Sequence, residues 1–478
     1  MKNNITELAI LSFSHHDQIK FAKFSGDKNP IHINQKMAKK TLAGECIVHG
    51  VNLILTALEF HLANSNLLPT VCRVWFGHPV SLGRPIRLVS DKDKNELRWE
   101  SDIATPYCTI KIENQQKTWE QIKDAPLSEM EILSEPKETI MESLKVGAII
   151  PSIYGGTPKI GRLLFPNLCS LIGLARVYEL ALLSNFVGMQ VPGLNSLFSD
   201  CSLKLQKFSN SSKPHFELIN YDKRFNLLKI KYSGTNIDAD IIAFERPSYV
   251  PKSILEIRKV IPQDLNLSGL RMLVVGGSSG IGESVCRVAS YLGCDVSFTY
   301  KSSKEDSFLI IDDVKENCEC NINAFELDVM SLTSIQALNL DYDILCYFPS
   351  EKIFGKVGSY FDIQRFEDFY KVYCVAFNEI ARRFLQSGGK KIYYPSSVAV
   401  MSDVKGLEEY AYSKKIGEEI CRSLEAEFDA EIICERLDRV ETRQTLSVMP
   451  MAARDPVDVA IDICSIFSLG NNSNNSTH

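Results

Sequence analysis

Between Phe21 and Ala38 the chain reads FAKFSGDKNPIHINQKMA, placing Asp27 and His32 five positions apart around a glycine, an asparagine and a proline. A carboxylate and an imidazole fixed this closely can share the proton of one water. His49-Gly50 then opens a helix-like segment that runs to His61. The Gly50 N–H would stand at the positive end of that helix, where it can stabilise developing negative charge. Taken singly, Asp27 reads as a cap or turn carboxylate and His32 as a satisfied interior imidazole. Their joint spacing with Gly26, Asn29, Pro30 and His49-Gly50 reads as a site.

A second cluster lies in PSSVAVMSDVKGLEEYAYSKK, with Ser397 thirteen residues before Tyr410 and Lys414 four after it. Tyr410 and Lys414 therefore share a helix face. A free phenol, with a pKa of about 10, is a poor acid at neutral pH, and an adjacent ammonium stabilises the phenolate. Tyr410 becomes a proton donor or acceptor. Upstream, an apolar strand at 272–275, a turn holding Gly276, Ser278, Ser279, Gly280, Ile281 and Gly282, and a helix at 283–292 follow in the order a dinucleotide needs. Glycines admit a pyrophosphate close to the backbone, and the helix N-terminus directs N–H groups at it. A tight turn with no ligand is the plainer alternative.

The first stretch resembles the signature of the MaoC-like, hot-dog-fold (R)-specific enoyl-thioester hydratases, and only Phe24, where that pattern has a smaller residue, departs. The resemblance implies that Asp27 and His32 share the water and proton roles and that Gly50 is the oxyanion donor. The glycine run and the Ser397/Tyr410/Lys414 set are similar to the short-chain dehydrogenase/reductases over roughly residues 266 to 467. That resemblance implies that Ser397 binds a substrate carbonyl, that Lys414 reaches the nicotinamide ribose, and that Asp328, followed by Val329, contacts adenine; Thr442 is kept. The strand end carries Tyr300, Lys301 and Ser302 and no carboxylate for a ribose 2′-hydroxyl, which favours NADP(H) over NAD(H). Three positions depart: Tyr347-Phe348-Pro349-Ser350 replaces an Asn-Asn-Ala-Gly run, Tyr373 replaces an asparagine, and Leu437-Asp438 replaces a Pro-Gly.

These sites need elements to carry them. Residues 1–125 give a helix followed by strands, including the alternation Cys72, Val74, Phe76, and are expected to form the MaoC-like hot-dog domain. After a charged linker near 126–145, a long helix pattern from Pro166 and the alternation Cys201, Leu203, Leu205 form a weak repeat. Residues 146–247 are thus expected to be a second, non-catalytic hot-dog-like domain that completes the pocket of the first, an unrelated α+β domain being the alternative. A proline-rich linker at 246–265 leads into a reductase domain at 263–467, and the polar tail 468–478 is expected to be disordered. The expected fold class is an α+β double hot-dog region followed by an α/β Rossmann-type, doubly wound parallel sheet.

With 478 residues the chain is too long for one core, at about 100–200 residues per domain. A net charge of −6 without a basic stripe argues against nucleic acid as a partner. The first twenty residues are interrupted by polar groups and give no secretory signal, so a cytoplasmic protein is expected. The apolar segment 167–189 carries Arg176 and Glu179, which points to a buried helix and not to a membrane span. Fourteen cysteines without CxxC spacing, and Cys318/Cys320 as a lone CxC, read as reduced thiols. His15, His16, His61 and His78 are expected to be structural or surface residues, and no metal is assigned.

A hydratase and a ketoreductase act on consecutive intermediates, so the expected function is a bifunctional enzyme that hydrates 2-enoyl thioesters and reduces 3-ketoacyl thioesters with NADPH. The substrate would ride on CoA or an acyl carrier protein, and a homo-oligomer is expected by resemblance. Two alternatives stay open: a hydratase whose reductase-like half only binds nucleotide, and a reductase of an unrelated carbonyl with an acyl-binding hot-dog half.

Overall fold

The computed structural model describes residues 4–39, 41, 43–65, 67–116, 133–139, 144–151, 155–205, 214–354, 360–402, 404–447 and 451–468. The chain divides into two compact units, principally Met1–Ser248 and Tyr249–Leu446. Much of the charged linker expected near 126–145, and the tail from 469, lie outside the described residues.

The first unit is built on one ten-stranded antiparallel sheet. Strands β1 (Ile5–Leu11), β2 (Leu68–Phe76), β3 (Ile86–Asp91), β4 (Glu96–Glu100) and β5 (Pro106–Gln116) come from the first half. The second half supplies β6 (Ile149–Pro151), β7 (Ser196–Leu205), β8 (His215–Asp222), β9 (Leu227–Ser233) and β10 (Ile237–Glu245). Their spatial order is β1-β3-β4-β5-β2-β7-β10-β9-β8-β6, so the second half repeats the strand order of the first in reverse. The two halves join where the two alternating segments pair, with Cys72 opposite Leu203 and Val74 opposite Cys201. Alternation buries one side-chain face of each strand, and that face sets the register.

Each half carries a long apolar helix. In the first, α1 (Gly50–Asn64) buries Val51, Leu53, Ile54 and Leu55, and the Trp99 indole on β4 donates to the Leu53 carbonyl at 2.9 Å, tying helix to sheet. In the second, the long helix expected from Pro166 is two helices, α2 (Pro166–Ile172) and α3 (Leu174–Asn185), followed by a π turn at Phe186–Gln190. The break comes at Gly173, whose φ of 86° is open to a residue without Cβ. The α2 and α3–π segments meet at 118°, and among the described residues no single helix is long and apolar enough to cross a membrane. Glu179, inside this apolar run, is buried because it accepts from the Tyr232 hydroxyl, the Thr235 N–H and the Asn236 amide, which satisfies the charge.

The second unit holds six parallel strands: β11 (Arg271–Val275), β12 (Asp295–Tyr300), β13 (Ile322–Glu326), β14 (Ile344–Tyr347), β15 (Lys391–Ser397) and β16 (Glu431–Leu437). The order β13-β12-β11-β14-β15-β16 is that of a Rossmann-type sheet, with its reversal between β11 and β14. Both faces are covered, so β11 reads MLVV without alternation. Met272 and Val274 pack with Val285 and Ala289 of α4 (Gly280–Tyr291), whereas Leu273 and Val275 pack with Phe377, Ile380 and Leu424 on the other face. The expected linker 246–265 is only partly one. Residues Ile254–Ile257 form a helical turn with a Ser253/Glu256 capping box, and Ile254 and Ile257 join the core because their side chains are apolar at turn spacing.

Candidate active sites

The first site grows from a loop that its own side chains shape. Asn29 caps the turn Pro30–Ile33 by accepting from the Ile31 N–H, and its amide nitrogen donates to the Gly188 and Gly193 carbonyls at 2.9 and 3.0 Å. Asp27 is buried; its Oδ1 accepts the Asn29 N–H at 3.1 Å and its Oδ2 accepts the Ser184 hydroxyl at 2.6 Å. The ligand-capable atoms of Asp27, His32 and His49 all lie within 4.8 Å of one another. The two side chains singled out from the sequence therefore converge.

The protonation pattern follows from the partners. His32 Nδ1 faces the Ile47 carbonyl at 2.8 Å, so the neutral ring keeps its proton there and leaves Nε2 as an acceptor. Burial holds the His32 pKa below its ordinary value, opposed by Asp27 and the Ile47 carbonyl, with Arg246 adding to the downward push. Burial likewise lifts the Asp27 pKa, against His32, the Ser184 hydroxyl and the Asn29 N–H. Gly50 is the first residue of α1, where N–H groups have no intrahelical acceptor.

His49 enters the site with its side chain, a role its sequence position alone did not assign. Its ring stacks on His32 at 3.8 Å between centroids, and it is wholly buried. Nδ1 faces Gln18 Oε1 at 2.8 Å and Nε2 faces the Asp27 carbonyl at 3.1 Å. Burial and the neighbouring His32 keep its pKa well below the usual range. Ser184 and Gly188 also went unassigned, since they lie far along the chain in a segment with no motif. A Cβ on Gly188 would come within 2.4 Å of Asp27 Oδ1. Phe24, the departing residue, is fully buried beside Phe165 and Tyr178, and Gly161 makes room for it: a Cβ there would meet the Phe24 ring at 2.7 Å.

In the second unit, Ser397 ends β15 and Tyr410 and Lys414 lie on α5 (Glu408–Phe428). The Ser397 side chain lowers the Tyr410 pKa against a larger upward push from burial. Lys414 Nζ donates to the Pro395 carbonyl at 2.6 Å and lies 4.0 Å from the centre of the Tyr373 ring and 6.0 Å from that of Tyr410. Burial brings the Lys414 pKa down to about 7. Two departing positions meet here: Tyr373, in the π turn Lys371–Ala376, shares a 2.7 Å hydrogen bond with Ser350.

The glycine turn has the shape a dinucleotide requires. Gly276 and Gly280 take φ values of 77° and 62°, and a Cβ on Gly282 would lie 2.4 Å from the Gly276 carbonyl oxygen. Ser279 caps α4 with no side-chain hydrogen bond, leaving first-turn N–H groups for an anion. Ser278 is buried in the turn, Ile281 packs on the core, and Thr442 Cγ2 lies 3.4 Å from the place of a Gly280 Cβ. Tyr300 ends β12 and Ser302 follows, exposed. Lys301 pairs with Asp328 at 3.2 Å, and Asp328 also accepts the Met330 N–H; Val329 packs against the core.

Residues 5–104 match the family model described as a MaoC like domain, and residues 272–454 match the NAD dependent epimerase/dehydratase family. One chain carries a MaoC-like domain and an epimerase/reductase-type domain. No curated protein matches the chain significantly. Solved structures similar to it include an oxidoreductase, yciK, from E. coli, at 18% identity over 43% of this chain and 92% of that one, with a TM-score of 0.39. A short chain dehydrogenase from Burkholderia cenocepacia in complex with NADP shows 19% identity over 42% of this chain and 92% of that one, with a TM-score of 0.38. A dehydrogenase/reductase from Sinorhizobium meliloti shows 18% identity over 43% and 90%, with a TM-score of 0.38.

Proposed function

We propose that the chain is a bifunctional enzyme of acyl-thioester metabolism. The MaoC-like domain interconverts 2-enoyl and 3-hydroxyacyl thioesters, and the epimerase/reductase-type domain reduces 3-ketoacyl thioesters with NADPH. The observation that carries this reading is the convergence of buried Asp27 and His49 with half-buried His32 within 4.8 Å. We take the first unit as a double hot-dog, catalytic in its first half, and the second as a doubly wound reductase fold. The reading includes a CoA or acyl-carrier-protein thioester as substrate, a cytoplasmic location and assembly into a homo-oligomer.

In the hydratase half, water is held between the Asp27 carboxylate and His32 Nε2. One of these bases takes a proton as the oxygen attacks C3, and the proton is delivered to C2, so that one water is added and nothing else is consumed. The enolate-like charge on the thioester oxygen is met by the Gly50 N–H at the helix N-terminus. Ser184 and Asn29 hold Asp27, and the Ile47 carbonyl fixes the His32 tautomer.

In the reductase half, the glycine turn and the first turn of α4 hold the pyrophosphate, with Lys301 and Ser302 beside the adenosine end. NADPH, when bound, supplies hydride. Ser397 positions the carbonyl oxygen and Tyr410 gives it a proton, aided by the charge of Lys414. The absence of a carboxylate at Tyr300-Lys301-Ser302 supports NADP(H) over NAD(H). A second reading, in which this domain binds nucleotide without turnover, is favoured by Tyr373 covering Lys414.

The test is to give purified protein a panel of 2-enoyl-CoA thioesters and, separately, 3-ketoacyl-CoA with NADPH. Hydration that disappears in Asp27→Ala, and NADPH oxidation that disappears in Tyr410→Phe, are expected. Hydration without NADPH oxidation would select the second reading. No hydration of any enoyl thioester would overturn the assignment.

A further inference from the structure

Arg246, directly after β10, is only 7% exposed. Its Nε donates to the Ser196 carbonyl and its Nη2 to the Leu194 carbonyl, each at 3.0 Å, and Nη1 donates to none of the described residues. Among the described residues no carboxylate pairs with it, and burial alone lowers its pKa, to about 10. The guanidinium thus stays charged at neutral pH with no counter-ion among the described residues. Removing a cation from water in this way is costly unless an anion compensates it.

Two observations put this charge beside the hydratase site. The Leu194 carbonyl that accepts from Arg246 also accepts from the Asn29 amide at 3.3 Å, and Asn29 lies on the loop between Asp27 and His32. The charge of Arg246 also bears directly on His32. Asp27 is not its partner: that carboxylate is held by Ser184 and Asn29. A buried cation with a free terminal nitrogen beside the reacting centre is suited to an anion that arrives with the substrate.

We propose that Arg246 recognises a carboxylate on the acyl chain, so that the preferred substrate is the enoyl thioester of a dicarboxylic acid. A guanidinium binds carboxylate through directed, charge-assisted N–H donors, and a plain alkyl chain would leave it buried and uncompensated. A phosphate on the CoA arm offers similar chemistry, but that arm is common to all CoA substrates, so the two sources are separable. The inference rests on the hydratase reading. Failure to turn over any enoyl thioester would remove that reading, whereas turnover without preference removes only the role of Arg246.

The experiment compares crotonyl-CoA with 4-carboxybut-2-enoyl-CoA as substrates of the full chain. A kcat/KM ratio on the order of 10²-fold in favour of the carboxylated substrate is expected, because a site built for a polar group rejects an analogue that lacks it. In Arg246→Met the ratio should fall toward one, chiefly through KM, and Arg246→Lys should restore part of it. A ratio near one in the unaltered protein, or a ratio that survives Arg246→Met while both rates fall, overturns the proposal; the latter places the charge on the CoA arm. Should Arg246→Met not fold, inhibition of the unaltered protein decides: glutaryl-CoA must bind more tightly than butyryl-CoA, and equal inhibition overturns the inference.

Discussion

Ser184 donates its hydroxyl proton to Asp27 Oδ2 at 2.6 Å, across a sequence separation of 157 residues. The donor sits on α3 of the second half and the acceptor on the loop of the first, so the half that lacks an Asp-x-Asn-Pro-x-His loop supplies the support of that loop. Gly188 and the Gly193 carbonyl continue the same contact.

Ser184→Ala removes a donor from a buried carboxylate. The Asp27 pKa, already raised by burial, should rise further, because the serine is one of the groups holding it down. The acid limb of the hydration profile should move to higher pH. A stability loss of about 1.5–3 kcal/mol is expected from a lost hydrogen bond to a charged group, measurable by denaturant titration.

Asp27→Asn should abolish hydration and raise the melting temperature at neutral pH. The folded-state pKa of Asp27 lies above its ordinary value of 3.8, so the fold loses stability as pH rises from about 3.8 to the folded pKa, and the loss is complete above it. The advantage of the asparagine should therefore grow as pH rises above that of the free carboxyl and shrink as pH falls toward it. Melting curves recorded across pH would show it, and an equal gain at all pH values would contradict the sign.

Lys414, with its pKa brought to about 7 by burial, carries its charge below that value and loses it above. NADPH-dependent reduction should fall as pH rises through neutrality, since the uncharged amine no longer favours the phenolate of Tyr410. Lys414→Arg, which stays protonated, should remove this limb even where it lowers the rate. Tyr410→Phe should cost about 10²–10⁴-fold, the usual contribution of a positioned acid.

The triad Asp27, His32 and His49 has a spacing that a metal ion could also use. The hydration chemistry proposed above needs only proton transfer. Dialysis against a chelator should leave hydratase activity unchanged, and added zinc should inhibit by occupying the nitrogen and carboxylate acceptors. Loss of activity on chelation, restored by metal, would replace the acid–base account.

Local features were legible from residue types alone. The Asp27–His32 spacing, the strand alternations at Cys72 and Cys201, the Gly276–Gly282 turn and the Tyr410–Lys414 helix pair each depend on neighbours a few residues apart, where backbone period and turn chemistry leave few outcomes. The single helix expected from Pro166 failed at Gly173, because apolar periodicity does not record a change of direction when both pieces are buried.

The sequence by itself determined the two chemical clusters, the parallel character of the second sheet and the presence of a glycine turn shaped for phosphate. Only the tertiary structure decided that Ser184 and Gly188 abut Asp27, that His49 stacks on His32, that Tyr373 bonds Ser350 and that Arg246 meets no carboxylate among the described residues. The physical reason is range: propensity and period act within a turn or a strand, whereas the desolvation and hydrogen bonding that set these groups arise from segments brought together by burial of the shared core.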